Sequence, residues 1–287
     1  MDGGVMFGLF RKGPLLDTEL SQWQFDCFEW LLQHSTASGS SWRRPLILPT
    51  PQFFPHDGSS GHAFAEMIFN RVKMHAGMAD WPCVLQYQQA DPNTIVSSQA
   101  FVQGAPASPA GTFRALKEGG ALITYNPEQL RDPMSLVATL AHELAHYRTV
   151  GLPEPPPGGW EVWEPATDLA AVFHGFGIFL ANSCFNFQHF RHGKAEGWRW
   201  RQQGYLTDVE VLHAHAIFSV LQGIDPSETL FHLKSALRGI FKRVYRDVRA
   251  NEDAVRHLLA TVTAKAGLAP VGASPLTPNE PAGATSS

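Results

Sequence analysis

The chain has 287 residues, 44% of them hydrophobic, which is enough apolar material for a substantial core in one large domain or two small ones, and we read one. Its formal net charge of -4 and pI near 6.3 supply no general attraction to nucleic acid or acidic lipid, so bulk charge singles out no partner. Cys27, Cys83 and Cys184 are widely separated and fit neither a disulfide framework nor a paired-thiolate metal site, so a reducing, cytoplasmic location is expected.

In chain order, MDGGVMFGLFRKGP places its basic pair after its short apolar run, the reverse of a secretory signal. DTELSQWQFDCFEWLLQH then carries Leu20, Trp23, Cys27, Phe28 and Leu31 at helical spacing behind Asp17 as a cap. WRRPLILPTPQFFP reads as extended. SSGHAFAEMIFNRVKMHAGM follows as an amphipathic helix with Phe64, Met67, Ile68 and Met74 on its apolar face. PCVLQYQQ and ALITYN have strand character, with FVQGAPASPAGTF irregular between them.

Helices are expected from there onward, over residues 133 to 149, 161 to 182, 208 to 222, and 228 to 263 with a break near Asn251. LAAVFHGFGIFLANSC is the longest apolar stretch, but His174 and two glycines interrupt it, short of the roughly 18 residues a membrane span needs. Residues 266 to 287 lack the apolar content to offset ordering entropy and are expected to be a disordered tail. Helices, a small antiparallel or mixed sheet and then a helical half define an α+β domain over residues 1 to 265.

The chemistry concentrates in TLAHELAHYRTVG, residues 139 to 151. Asp132 and Pro133 suit a helix start, and Gly151 suits a left-handed end. On such a helix His142 and His146 differ by about 40°, so both imidazoles can reach one ion. Glu143 is rotated by about 100° from His142 and stands where a general base for water would stand. Random placement of this composition yields the His-Glu-x-x-His pattern roughly 0.03 times, which makes the match informative. The bland alternative is a half-buried helix with two hydrogen-bonded histidines.

A third ligand is offered by GGWEVWEPATDLAAVFHGFGIF. Glu164 follows the turn-rich GLPEPPPGG, which can fold a second helix back on the first. Zinc accepts imidazole nitrogen and carboxylate oxygen, and a catalytic site uses three protein ligands with one position open. His142, His146 and Glu164 supply three. Asp168, one turn beyond Glu164, suits a partner for the second nitrogen of His142. Glu161, about 60° from Glu164 on a helix, competes as ligand, but only Glu164 has an aspartate four residues on.

HELAH followed by EPATD resembles the gluzincin branch of the zincin metallopeptidases, with its His-Glu-x-x-His and downstream Glu-x-x-x-Asp. The resemblance covers roughly residues 120 to 180 and departs from metzincins, since no His-x-x-Gly-x-x-His extension follows. It implies a zincin-like fold, one Zn2+, a peptide or protein substrate, and Glu143 moving a proton from water to the leaving amine. It also implies a substrate-pairing strand before the helix, where ALITY, residues 121 to 125, stands.

His213, on the edge of an apolar face with Val209, Leu212 and Ala216, is the candidate oxyanion donor; His215 is expected to point away from that face. Tyr205 and His174 are further candidates. FRHGKAEGWRWRQQGY, residues 190 to 205, has the residue types of a single-strand stacking platform. The overall negative charge weighs against nucleic acid, and Trp198 and Trp200 equally suit anchoring a loop to the core. Two other classes stay open: a metal-bound sensing module that binds a protein partner through the same fold, and a metal-free helical interaction domain.

Overall fold

The computed structural model describes residues 13–35, 42–88, 110–188 and 206–266. The first helix, α1 (Thr18–Ser35), starts where Asp17 Oδ1 accepts from the Glu19 and Leu20 amides at 2.8 and 3.3 Å. It buries Phe25, Cys27, Phe28, Leu31 and Leu32, while Leu20 and Trp23 lie at the rim. Helix α2 (Gly61–His75) buries Ala65, Ile68, Phe69 and Val72. Met74, expected on that face, is 45% exposed, because two residues past Val72 it is rotated by about 200°.

Three strands follow: β1 (Cys83–Tyr87), β2 (Gly111–Ala115) and β3 (Ala121–Tyr125). The sheet order is β1-β3-β2, parallel between β1 and β3 with Cys83 opposite Ala121, and antiparallel between β2 and β3 with Gly111 opposite Tyr125. The architecture is therefore α+β with a mixed sheet. Strand β2 takes its first residues from a segment expected to be irregular. It pairs through a hairpin closed by the Leu116 amide on the Gly120 carbonyl at 3.0 Å. That hairpin corrects a second expectation: ALITY is the central strand, hydrogen-bonded on both sides, and has no edge to offer a substrate. The edge strand beside the next helix is β2.

Helix α3 (Pro133–Thr149) has the expected bounds, with the Ser135 amide donating to Asp132 Oδ1 at 3.3 Å. Residues 135 to 146 are all buried, so this helix is the centre of the molecule. Its end differs from expectation. Val150 is right-handed helical and Gly151 is not among the glycines of positive φ; Thr149 Oγ1 instead closes the last turn on the Ala145 carbonyl at 2.9 Å. The following Pro-rich loop is tied to α1 by Trp30 Nε1 on the Glu154 carbonyl at 3.3 Å and Trp23 Nε1 on the Pro157 carbonyl at 2.7 Å.

The helical stretch expected over 161 to 182 is divided into a 3-10 turn at 160–162, α4 (Trp163–Ala171), a π-turn at 172–176, and α5 (Gly177–Gln188). Gly175, at φ 97°, forms the break; a Cβ there would meet the Pro45 carbonyl and approach Ile47 Cγ1 at 3.2 Å. Only glycine combines that φ with that approach.

Helix α6 (Asp208–Gln222) opens with a capping box between Thr207 and Glu210 and ends on left-handed Gly223. Helices α7 (Pro226–His232), α8 (Ser235–Ala250) and α9 (Glu252–Ala266) complete the fold, with the expected break at Asn251. One apolar cluster draws on α1, α2, β1, β3, α3 to α6, α8 and α9. Among the described residues no helix is long and apolar enough to cross a membrane, and the three cysteines are free. Tyr205, the 190 to 205 stretch and residues 267–287 of the expected tail lie outside the described residues.

Candidate metal centre

Helix α4 packs on α3 and lays Glu164 against its two histidines. Glu164 Oε2 stands 3.4 Å from His142 Nε2 and 3.2 Å from His146 Nε2, and the three side chains form a group able to hold a metal ion. These spacings can be tested against coordination geometry. Ligand atoms about 2.0–2.2 Å from a tetrahedral ion stand about 3.3–3.6 Å from one another. Both glutamate–histidine spacings suit a small divalent cation, with Glu164 half open to solvent and both histidines buried. Glu161, in the 3-10 turn, is exposed and is not part of the group.

The other nitrogen of each imidazole is also engaged. His142 Nδ1 lies 2.7 Å from Asp168 Oδ1, the pairing expected from the sequence, and Asp168 Oδ2 accepts the Leu206 amide at 3.0 Å. Both oxygens of this buried carboxylate are thereby fixed. His146 Nδ1 lies 3.3 Å from Thr167 Oγ1, whose proton goes to the Trp163 carbonyl at 2.9 Å. The hydroxyl therefore accepts from Nδ1–H, which leaves the Nε2 lone pair turned toward the group. Sequence reasoning missed Thr167, although it lies three residues past Glu164 and hence on its face of the helix. Phe113 and Trp163 hold the His146 ring, one stacked at 6.1 Å and the other edge-on at 4.8 Å between centroids.

Electrostatics favour a cation here. Burial alone would lower the pKa of His142, but the charge and hydrogen bond of Asp168, with Glu164 and Glu143, raise it to about 10. Protons and metal thus compete for one site. Metal binding near neutral pH should release about one proton per ion, and apparent affinity should fall about tenfold per pH unit on acidification. Calorimetric titration in buffers of different ionisation enthalpy reads that proton directly. Asp168→Asn should weaken metal affinity by about 10–100-fold, measured by chelator competition, because the imidazole loses the carboxylate that raises its basicity.

Glu143 is 5% exposed. Burial raises its pKa, the neighbouring His142 charge opposes that, and Glu164 and Asp168 raise it further, to about 7. A Cβ on Gly111 would lie 2.6 Å from Thr139 Cγ2 and 3.0 Å from Glu143 Oε1. Glycine at that place lets β2 approach α3 against the carboxylate.

His213, expected as the oxyanion donor, is committed elsewhere. Its Nδ1 lies 2.8 Å from Gln24 Oε1 and its Nε2 3.1 Å from Ser21 Oγ, both on α1. Burial lowers its pKa to about 4, so it is a neutral core imidazole with neither nitrogen left for an oxyanion. His215, expected to point away from the core, is fully buried and pairs through Nε2 with Thr229 Oγ1 at 3.0 Å. Helix α8 packs over what would otherwise be the outer face of α6. His174 lies buried in the π-turn.

No protein-family model, curated protein or solved structure matches the chain.

Proposed function

We propose that this protein is a zinc-dependent peptidase of zincin type. The observation that carries the reading is the convergence of His142, His146 and Glu164 beside a buried carboxylate, Glu143, that is not one of the three. Zinc, when bound, supplies a Lewis acid that polarises an amide carbonyl and lowers the pKa of water toward about 7. Glu143, buried beside the group and held above the ordinary carboxylate range by that burial, is placed to take a proton from the attacking water and return it to the leaving amine. Asp168 and Thr167 hold the two imidazoles in the tautomer that presents Nε2.

Substrate placement falls to β2. Its outer edge has no strand partner among the described residues, and its Phe113 and Gly111 lie against His146 and Glu143. An extended peptide adding to that edge would run past the carboxylate, with backbone hydrogen bonds supplying affinity irrespective of side chain. The test is a diverse peptide library offered to zinc-loaded protein. Cleavage that a chelator abolishes and added zinc restores supports the peptidase. Bound zinc without cleavage of any peptide would instead mark a sensing module.

A further inference from the structure

Among the described residues, positive charge collects behind α3 without an acidic partner. Arg148, two residues past His146, points about 200° away from it around the helix and lies over the Trp81 ring at 5.6 Å. Buried Lys73 donates Nζ to the carbonyl of the same tryptophan at 2.8 Å. Arg44 anchors its backbone amide on Gln222 Oε1 at 3.2 Å, yet its Nε and Nη2 are buried with no hydrogen-bond partner. His174 is 3% exposed, and its Nδ1 is likewise buried without one. Among the described residues no carboxylate pairs with Arg44, Lys73 or Arg148.

The backbone explains why these groups meet. The Ile47 amide donates to the Gly175 carbonyl at 3.1 Å, and the absent Cβ of Gly175 leaves room for the Pro45 carbonyl. Arg44 and His174 each immediately precede one of those touching residues. His174 is held neutral by burial first and then by the charges of Arg148 and Arg44, so Nδ1 can carry a proton to donate. Buried donors left unsatisfied, above all charged ones, are costly. Arg44 Nε, Arg44 Nη2 and His174 Nδ1 are three such atoms, beside the Arg148 charge, and together they imply something that accepts from them.

We propose that Arg44, Arg148 and His174 form a binding site for a phosphate-type oxyanion, separate from the metal centre and independent of the peptidase reading. Guanidinium forks match the oxygens of such an anion, and a neutral imidazole N–H supplies a further donor from another direction. The unsatisfied atoms are buried, which favours a small free anion, inorganic phosphate, over the phosphate of a larger ester.

Isothermal titration of the full chain with inorganic phosphate, at constant ionic strength in chloride, tests this, with phenyl phosphate as the ester arm. Wild type should bind one anion saturably, and Arg44→Gln and Arg148→Gln should each weaken binding at least about tenfold. Binding of either probe that the variants weaken supports the site, and the tighter probe identifies the source. Equal binding by wild type and variants would assign the anion to the metal centre and overturn the proposal, as would binding of neither probe. In phosphate-free buffer Arg44→Gln should unfold at a temperature equal to or above that of wild type, since its unsatisfied buried charge is relieved. Phosphate should then raise the midpoint of wild type alone; a matching rise in both variants would also overturn it.

Discussion

Glu143→Gln should leave the bound metal unchanged and lower peptide hydrolysis by about 10²–10⁴-fold, the contribution of a positioned general base. The amide has the volume of the carboxylate, so the close approach of Gly111 to it persists. Glu143 is not in the three-residue group, so coordination has no reason to change. Nor should the fold weaken. Burial disfavours the charge that the substitution removes, and a neutral amide avoids that cost provided its own hydrogen bonds are made. Metal content by elemental analysis, the thermal midpoint and kcat are read on one preparation. A variant that cleaves peptide at the wild-type rate would remove Glu143 from the reaction.

Glu164→Gln should have the largest effect on the metal. Its Oε2 is the atom common to both histidine contacts, so its charge and its geometry both bear on the ion. Loss of affinity should exceed the ~10–100-fold typical of losing a partner one bond further out, and hydrolysis should fall with it. Glu161→Gln should change neither quantity, because that side chain is exposed in the turn before α4. Competition with a chromophoric chelator separates the two glutamates. Equal affinities for wild type and Glu164→Gln would show that the carboxylate belongs to the surface and not to the site.

What the sequence made legible follows the range of the interactions involved. Helix α3 could be read to the residue at its start because Asp132 and Pro133 act within one turn, and the histidine spacing is a property of the helix itself. Glu164 and Asp168 were legible because their spacing fixes a shared face, and the Pro-rich loop signals a reversal. Strand β2 was not legible. Its Gly-Thr-Phe-Arg-Ala has little strand character alone and exists through pairing with β3.

The histidines of α6 show the same limit. Periodicity placed His213 inward and His215 outward, but α1 and α8 pack on different faces of α6, and both rings are buried. A helix covered on more than one side has no outward face for periodicity to find. Trp23 and Trp30, which tie the loop before Glu164 to α1, act across more than a hundred residues of chain. No local pattern announces such contacts.

The most direct measurement is the zinc X-ray absorption spectrum of the metal-loaded protein, taken alongside that of Glu164→Gln. The proposed function requires one zinc per chain with two imidazole nitrogens and one carboxylate oxygen at about 2.0–2.2 Å plus one further light atom, and a changed first shell or no zinc in the variant. A chain that takes up no zinc, or a spectrum with sulfur in the first shell, or one identical in the variant, would contradict it.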